Sequence, residues 1–532
     1  MPTLTIDGRE ITVEPGTTVI QAAEQLGIFI PRYCWHPGLA IAGNCRICQV
    51  EVVTPKFRWP TTIACNLTCG DGMEIRTDSE EAKKARAEVM EFLLINHPLD
   101  CPICDQAGEC TLQEYSFEHG QDKSDFDEEK VHKSKRIEFS DKITYDGERC
   151  ILCTRCVRFA REVGGDEQLA VVERGDHCEI AVAHGGAYEH PYSMNVTDLC
   201  PVGALTSTDF RFKTRVWFLT DTPTTCGSCA RGCSITVGAR WDKVQRFTPR
   251  ENADVNKWWM CDEGRLNYKF VHGEDRLGGA LVRRDDELVE APLSEALDTA
   301  QKSLAAVIEA HGADAVFGLV SARLTNEEIF VAKEWLSKVG VTNLDVKARV
   351  GEGDDFLISG DKNPNSTGAQ LIGVGGVGEV KLDGLSAAVK AGTIKAVVVL
   401  GDDLDDHEAL GNLSGLECVI VMDFRMSETA KKAHVVLPGC TWVEKEGTFT
   451  NCDGWVSKVN PAISAPAHAR PDFEILVELL RRADPEGEHP GRPEKAFQAL
   501  GEAVPAFAGM KVADLYARSV RVAEEAVPAS AD

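Results

Sequence analysis

Alternating apolar and polar positions at the start of the chain predict a small β-grasp unit in the first 33 residues. Residues 4–6 and 11–13 alternate as short strands do, and a turn signal ending at Gly8 joins them as a hairpin. Thr18 and Gln21 form a capping box, which begins a helix. We therefore expect the order strand, turn, strand and helix.

A longer apolar periodicity predicts one amphipathic helix over residues 79–96. Ser79 is its N-cap, and Val89, Phe92 and Leu93 fall on one face at helical spacing. A proline then ends the helix, because its ring cannot donate the backbone hydrogen bond of a further turn. The residue between helix and proline is a histidine.

After residue 261 the pattern changes to buried-type strands that alternate with helices. Strand-length apolar runs occupy residues 315–320, 395–400 and 418–422. One helix is predicted over residues 293–310, and Thr325 with Glu328 caps another. This alternation predicts an α/β layout. Beyond Ala483 the chain is rich in Pro, Ala and Glu, and we expect a short helix and a loose tail.

Length and composition allow three to five globular domains. The chain has 532 residues, of which 43% are hydrophobic and 27% charged. No run of 18 apolar residues predicts a membrane span, and the N-terminus lacks the pattern of a signal peptide. The net charge of −27 argues against nucleic-acid binding, which needs a basic face. It suits docking to basic protein surfaces and, equally, simple solubility.

Twenty cysteines change this picture, because seventeen of them precede residue 262. A reducing cytosol disfavours disulfides, so clustered cysteines without a secretory signal indicate metal or redox sites. No nucleophile and base pair in the sequence outranks them, and we expect no catalytic residue in this chain.

The first set follows the β-grasp unit and has the spacing C-x10-C-x2-C-x16-C. It consists of Cys34, Cys45, Cys48 and Cys65. Three thiols in a loop that contains glycine and proline, with a distant fourth, are typical of a [2Fe–2S] cluster. Cys69 is the second choice for the fourth ligand, and zinc is the alternative metal.

The second set has the spacing H-x3-C-x2-C-x5-C and comprises His97, Cys101, Cys104 and Cys110. His97 stands at the end of the predicted helix, where a fourth cysteine would otherwise be needed. We therefore expect it to be a ligand and not a structural histidine. An imidazole in place of a thiolate makes a cluster less negative by one charge, which raises its reduction potential.

The third set resembles a bacterial ferredoxin run, C-x2-C-x2-C. It comprises Cys150, Cys153 and Cys156, with Cys200 before a proline as the fourth ligand. Cys178 lies between them in sequence, and we expect it to be a small buried apolar residue.

The fourth set has the spacing C-x2-C-x3-C-x27-C and comprises Cys226, Cys229, Cys233 and Cys261. Each set alone is compatible with zinc, which also takes four thiolates. Four sets in succession favour a chain of iron–sulfur clusters that transfers electrons, and not a series of zinc sites.

In this order the four sets resemble the large iron–sulfur subunit of bacterial respiratory complex I, the NADH:quinone oxidoreductase. The runs from His97 to Asp105 and from Cys110 to Gln113 carry the most specific part of the resemblance. It covers residues 1–275 and implies a [2Fe–2S] cluster on the first set and [4Fe–4S] clusters on the other three. In the family the fourth cluster occurs only in some members, off the main electron path.

The second half resembles the molybdopterin oxidoreductase fold. The segments 321–328 and 447–451 are similar to formate dehydrogenases, which makes a molybdenum formate dehydrogenase the alternative function. Against it, Gly351 and Glu352 stand where those enzymes carry the thiolate or selenolate molybdenum ligand and its following histidine. Glu263 stands where they carry an electron-relay lysine. We expect no molybdenum and interpret the domain as a structural remnant.

An iron-only hydrogenase is a third candidate, because it shares the N-terminal half. Its active cluster would need a further cysteine quartet after the fourth set. Only Cys418, Cys440 and Cys452 follow, and they lack its motifs.

The resemblance implies a multidomain α+β and α/β chain: a β-grasp [2Fe–2S] ferredoxin-like domain, [4Fe–4S] ferredoxin-like domains and a shortened molybdopterin-oxidoreductase-like α/β domain. The expected bounds are 1–78 for the β-grasp domain, 79–140 for the His/Cys-ligated domain, 141–218 for the ferredoxin-like domain, 219–275 for the molybdopterin-type [4Fe–4S] domain, 276–485 for the degenerate α/β domain and 486–532 for a tail.

The resemblance also implies a place in a larger assembly. The chain would be an electron carrier within a translocating NADH dehydrogenase, on the cytoplasmic face of the membrane. FMN and the NADH site would lie on a partner subunit, because the two electrons of a hydride must be split by flavin. Other iron–sulfur subunits of the complex would carry the electrons on toward quinone.

Overall fold

The computed structural model describes residues 1–53 and 60–523. The chain forms two compact units, Met1–Leu219 and Thr220–Asp532. No helix among the described residues is both long and apolar enough to cross a membrane.

The first unit opens with a five-stranded sheet and one helix. Its elements are β1 (Thr3–Ile6), β2 (Arg9–Thr12), α1 (Val19–Gln25), β3 (Gln49–Val52), β4 (Thr61–Ile63) and β5 (Glu74–Arg76). The strand order is β2-β1-β5-β3-β4, with β1 parallel to β5 and the other pairs antiparallel. The predicted hairpin and capping box are confirmed: the backbone N–H of Thr18 donates to Gln21 Oε1 at 3.0 Å. The apolar side chains of α1 pack on this sheet together with Cys48 and Cys65.

Further short helices and small sheets complete the first unit. They are α2 (Glu80–Leu94), α3 (Thr111–His119), β6 (Ile137–Glu138), β7 (Ile143–Tyr145), α4 (Arg155–Glu162), β8 (Leu169–Val172), β9 (Glu179–Val182), α5 (Asn195–Leu199) and β10 (Leu205–Ser207). The strand β7 pairs with β6 and β10, and β8 pairs with β9. Ser79 caps α2 as predicted, accepting a hydrogen bond from the Ala82 backbone.

The predicted apolar face of α2 is wrong. The helix buries Ala82, Arg86 and Met90, whereas Phe92 is 76% exposed. Arg86 enters the interior because its guanidinium donates to the Gln49 carbonyl at 2.8 and 3.1 Å. A hydrophobic pattern cannot predict that an arginine is buried with its guanidinium hydrogen-bonded to a backbone carbonyl, and this explains the error.

The second unit begins with a three-stranded meander and a short helix. These are β11 (Thr220–Thr225), β12 (Ser234–Arg240), β13 (Lys243–Pro249) and α6 (Asp262–Leu266). The strands pair in sequence order, all antiparallel.

The larger part of the second unit is a seven-stranded sheet with helices, as the α/β pattern predicts. Its elements are β14 (Ala280–Arg284), β15 (Glu287–Ala291), α7 (Leu293–His311), β16 (Val316–Val320), α8 (Asn326–Lys338), β17 (Asn343–Asp345), α9 (Ser366–Ile372), α10 (Leu382–Ala391), β18 (Ala396–Leu400), β19 (Cys418–Asp423), α11 (Glu428–Lys431) and β20 (Val435–Pro438). The order is β15-β14-β20-β19-β18-β16-β17, and β17, β16, β18, β19 and β20 run parallel. The carboxyl ends of these parallel strands share one edge, where such sheets bind ligands.

The last elements are β21 (Gly447–Thr450), β22 (Trp455–Val459), α12 (Asp472–Ala483), α13 (Pro493–Ala503), α14 (Val512–Ala517) and β23 (Val520–Arg521). The expectation of a tail over residues 486–532 is wrong for most of its described part. Phe497, Leu500 and Phe507 are fully buried in the same apolar core as α7 and α8, and β23 pairs with β22. The composition signalled disorder, but a few large apolar side chains anchor the segment.

Trp335 is the largest fully buried side chain among the described residues, and its indole Nε1 donates to Gln301 Oε1 at 3.2 Å. We expect Trp335→Ala to lower the free energy of unfolding of the second unit by about 3–5 kcal/mol, because it leaves a large cavity. Denaturant unfolding followed by circular dichroism measures this. Trp241→Ala is the control, since Trp241 is 82% exposed; an equal loss in both variants would contradict the packing account.

Candidate metal centres

The first cysteine set comes together in the loop between α1 and β3, with one member after β4. The Cys34 backbone N–H donates to Cys45 Sγ at 3.3 Å. Hydrogen bonds from the Cys45 and Cys65 thiols hold the pKa of Cys34 well below its usual range, and Cys48 is bonded to Cys65 in the same way. For Cys69 burial is the main influence and raises its pKa, with no thiol of the set acting on it. Hydrogen bonding to other thiols of the set therefore favours Cys65 over Cys69 as the fourth candidate ligand.

Left-handed backbone shapes the loops that carry the thiols. Arg46, between Cys45 and Ile47, has φ 62°, and in the third set Leu152 and Thr154 have φ 52° and 59°. A residue other than glycine is strained when its backbone φ is positive, and such residues are common at functional sites. Here they turn the chain sharply enough for neighbouring cysteines to face one centre.

The second set lies between the C-terminal end of α2 and the start of α3. Cys104 and Cys110 are buried, whereas Cys101 is exposed. Burial raises the pKa of Cys110 to about 11, and Cys104 and Cys101 act on it in the same direction. Burial, followed by the charges of Arg149 and Lys130, lowers the pKa of His97 to about 4. His97 is therefore neutral at neutral pH, the form in which imidazole binds metals.

The third set surrounds a small apolar cavity with all four of its cysteines on the wall. Tyr145, Ile180 and Leu205 are among the other lining residues. Burial raises the pKa of Cys150, Cys153 and Cys200 to about 11. The Leu152 backbone N–H donates to Cys150 Sγ at 3.4 Å.

The fourth set lies at the β11–β12 turn and at the N-terminus of α6. Burial, with the neighbouring thiols, raises the pKa of Cys226 to about 11 and of Cys261 to about 12. The Gly264 backbone N–H donates to Cys261 Sγ at 3.2 Å. Cys452, which the sequence offered only as a leftover cysteine, lies within electrostatic range of Cys229.

These environments fit iron–sulfur cores. The third set combines a cavity walled by four soft donors with thiols that burial keeps protonated unless a cation stabilises the thiolate. The buried Nε of Arg155, on the wall of the same cavity, has no hydrogen-bond partner among the described residues. In the part of the chain that the structure describes, no three ligating side chains are arranged to hold a single metal ion.

In the first unit, the third set lies next to the second set and next to the first. A Cβ at Gly203, three residues after Cys200, would lie 2.1 Å from Cys104 Sγ, so only glycine allows this approach between the third and second sets. Arg158 donates to the carbonyls of Cys34 and Cys153, which joins the first and third sets. Sequence spacing gave no sign of these contacts.

In the second unit, Glu263 stands at the position where formate dehydrogenases carry the relay lysine, and it is paired with a lysine from elsewhere in the chain. Glu263 forms an ion pair with Lys362 Nζ at 3.2 Å. A Cβ at Gly351 would lie 2.5 Å from Cε of the same lysine. Lys362, which sequence reasoning missed, therefore occupies the space beside the residue that stands where formate dehydrogenases bind molybdenum.

The carboxyl edge of the parallel sheet is filled by ion pairs. Lys347 and Arg349 contact Asp403 at 3.1 and 3.0 Å, and Arg349 also contacts Asp402 at 2.6 Å. Although burial opposes it, these two cations hold the pKa of Asp403 well below its usual range. Burial raises the pKa of Asp423, at the end of β19, to about 8. Lys347 and Arg349, two basic residues of this edge, are thus already paired with carboxylates, which disfavours the binding of an anionic pterin cofactor there.

Family models match almost the whole described chain. They are a 2Fe-2S iron–sulfur cluster binding domain at residues 1–80, the iron–sulfur binding region of NADH-ubiquinone oxidoreductase-G at 86–125, the ferredoxin-like domain of NADH-quinone oxidoreductase subunit 3 at 140–206, a molybdopterin oxidoreductase Fe4S4 domain at 219–273 and molybdopterin oxidoreductase at 276–363 and 359–482. The expected fold class, from the 2Fe-2S domain to the molybdopterin-type domain, is confirmed.

Curated proteins of known name are similar to a large part of this chain. The G subunit of NADH-quinone oxidoreductase from Streptomyces coelicolor is 43% identical over 361 residues, 67% of this chain and 42% of the relative. The G subunit from Rickettsia bellii is 40% identical over 351 residues, 64% of this chain and 49% of the relative. The alpha subunit of NADPH-Fe(3+) oxidoreductase from Geobacter sulfurreducens is 34% identical over 438 residues, 82% of this chain and 48% of the relative. The chain thus spans about half the length of these relatives.

We expect Gly203→Ala to disturb the second set, because its new methyl group would displace Cys104 Sγ. The iron content should fall by about four atoms per chain if the set holds a tetranuclear cluster. Iron analysis of the anaerobically purified protein measures this, with Gly186→Ala as the control because no described atom lies within 4 Å of its Cβ position. Full iron in Gly203→Ala would contradict the close-approach argument.

Proposed function

Since the chain is a homologue of the NADH-quinone oxidoreductase G subunit along its iron–sulfur domains, we propose that it is the electron-transfer subunit of the peripheral arm of NADH:quinone oxidoreductase. In this role it passes single electrons from a flavin subunit through iron–sulfur clusters toward quinone. The observation that carries the proposal is that, within one compact unit, the third ligand set meets the second at Gly203 and is joined to the first by Arg158.

We assign one [2Fe–2S] cluster and three [4Fe–4S] clusters to the four sets. The proposed ligands are Cys34, Cys45, Cys48 and Cys65; His97, Cys101, Cys104 and Cys110; Cys150, Cys153, Cys156 and Cys200; and Cys226, Cys229, Cys233 and Cys261. The support is the burial of most of these thiols and the hydrogen bonds between them or from backbone N–H groups to their sulfurs.

When bound, such clusters supply reversible one-electron transfer. This chain's own contribution is to hold the iron through thiolates and one imidazole, to exclude water from most of the ligands, and to donate backbone N–H groups to sulfur. Hydrogen bonds to the sulfurs, net charge and burial are the means by which a protein sets cluster potentials.

The partners in this proposal are the subunit that binds FMN and NADH and the other iron–sulfur subunits of the complex. A hydride carries two electrons, and flavin divides the pair into single electrons that clusters can accept. We place the chain peripherally, on the cytoplasmic face of the membrane.

A molybdenum formate dehydrogenase is the alternative, since the second unit matches the molybdopterin oxidoreductase model. The ion pair of Glu263 with Lys362 and the neutralised edge around Asp403 disfavour it. An anionic pterin at this edge would have to separate the buried pair of Lys347 and Asp403, and breaking a buried ion pair costs on the order of 3–5 kcal/mol.

The first test is an anaerobic count of metal and acid-labile sulfide, with EPR after dithionite reduction. We expect about 14 iron and 14 sulfide per chain, from one binuclear and three tetranuclear clusters, and no molybdenum. Zinc with little sulfide would show that the four sets are structural zinc sites and not a chain of redox clusters. About one molybdenum per chain would favour the dehydrogenase.

A second test concerns His97. We expect His97→Cys to retain a cluster with a lower reduction potential, because thiolate adds one negative charge. An EPR-monitored redox titration measures the midpoint, and His177→Cys is the control since its side chain is 68% exposed and pairs with its neighbour Asp176. An unchanged midpoint in His97→Cys would remove this histidine from the ligands.

A further inference from the structure

Two arginines of α4 lie between the first and third cysteine sets. Arg158 is only 6% exposed, and its Nη2 donates to the Cys34 carbonyl and, at 3.3 Å, to the Cys153 carbonyl. One guanidinium nitrogen therefore joins a proposed ligand of the [2Fe–2S] cluster to a proposed ligand of a [4Fe–4S] cluster.

Arg155 makes the same kind of bridge one turn earlier. Its Nη2 donates to the Trp35 carbonyl at 2.6 Å, and its Nη1 donates to the Leu199 carbonyl at 3.2 Å. Trp35 and Leu199 are the chain neighbours of Cys34 and Cys200. Each arginine thus contacts the ligand loops of both sets.

Neither arginine has an acidic partner among the described residues. The hydrogen bonds that their guanidinium groups donate there go to backbone carbonyls or to the Thr154 hydroxyl. No ion pair within residues 1–53 and 60–523 includes either of them; Glu162, the acid of α4 nearest in sequence, pairs with the exposed Arg161.

The neighbouring groups show that positive charge is in excess here. Arg155 lines the same cavity as Cys150, Cys153 and Cys200, and its Nε there has no hydrogen-bond partner among the described residues. Within the described chain, the buried Arg158 and the half-buried Arg155 thus face thiols and carbonyls without the anion that normally compensates such cations.

We propose that Arg155 and Arg158 are shared counter-charges of the Cys34 and Cys150 clusters, which raise the reduction potentials of both. This inference rests on the proposed function. Each cluster gains a negative charge on reduction, and a fixed positive charge in a poorly screened site stabilises the reduced form. Because the same two side chains serve both clusters, they set both potentials together, and the gap between the two potentials is preserved.

The test uses full-length protein with its clusters and an EPR-monitored redox titration of the binuclear and the Cys150 tetranuclear signals. In Arg155→Gln and in Arg158→Gln we expect the equilibrium constant for reduction of both clusters to fall about tenfold, which is about 59 mV for a one-electron couple. Arg161→Gln is the matched control, because it lies on the same helix with its side chain 58% exposed. It should leave both midpoints unchanged.

Lysine variants separate charge from structure. Arg155→Lys and Arg158→Lys keep the charge but lose the two-sided hydrogen bonding, so their midpoints should stay near those of the wild type. A tenfold fall in a lysine variant with intact clusters would overturn the proposal. Loss of the clusters from the lysine variants would also overturn it, since the arginines would then hold the loops and not set the potentials.

The outcomes distinguish this inference from the proposed function. Wild-type protein without iron and sulfide would refute the proposed function itself. Wild-type protein with both clusters, together with unchanged midpoints in both glutamine variants, would refute only the role of the arginines.

Discussion

The burial of thiols is the constraint on which the rest of the structure depends. Most cysteines of the four sets are buried, and burial raises the pKa of Cys150, Cys153 and Cys200 to about 11. As neutral thiols, such side chains contribute to the fold only as small apolar groups. We expect a cationic core that turns the thiols into thiolates to add stability, which would couple cluster binding to folding of the first unit.

That coupling explains why the first unit has little regular structure around its sites. The ligand loops use left-handed residues such as Arg46, Leu152 and Thr154, and glycine at Gly203, where a side chain would meet Cys104. The loops hold each other by hydrogen bonds to carbonyls, mainly from arginine. The positive charges and the close approaches thus occur at the thiols themselves, and the groups that join the sets also act on the reduction potentials of the clusters.

In the second unit, charged side chains are compensated by one another. Its parallel sheet ends in an edge where related folds bind ligands, yet here Asp402 and Asp403 are paired with Lys347 and Arg349. Likewise Lys362 pairs with Glu263 beside Gly351. Internal ion pairs satisfy the charges that a cofactor would otherwise meet, and the sheet retains its packing around residues such as Trp335.

The sequence by itself determined the four candidate ligand sets, because cysteine spacing and the run after His97 are local features that need no fold to be recognised. It also determined both capping boxes and the α/β alternation, since periodicity and caps act within a few residues. The tertiary structure alone decided the neighbours of each set. Arg155 and Arg158 stand about 120 residues from the carbonyls they contact in the first loop. Such contacts depend on how loops close in space, and no local pattern in the chain encodes them. The same reason explains the buried Arg86 and the anchored helices after residue 486, where long-range packing overrode composition.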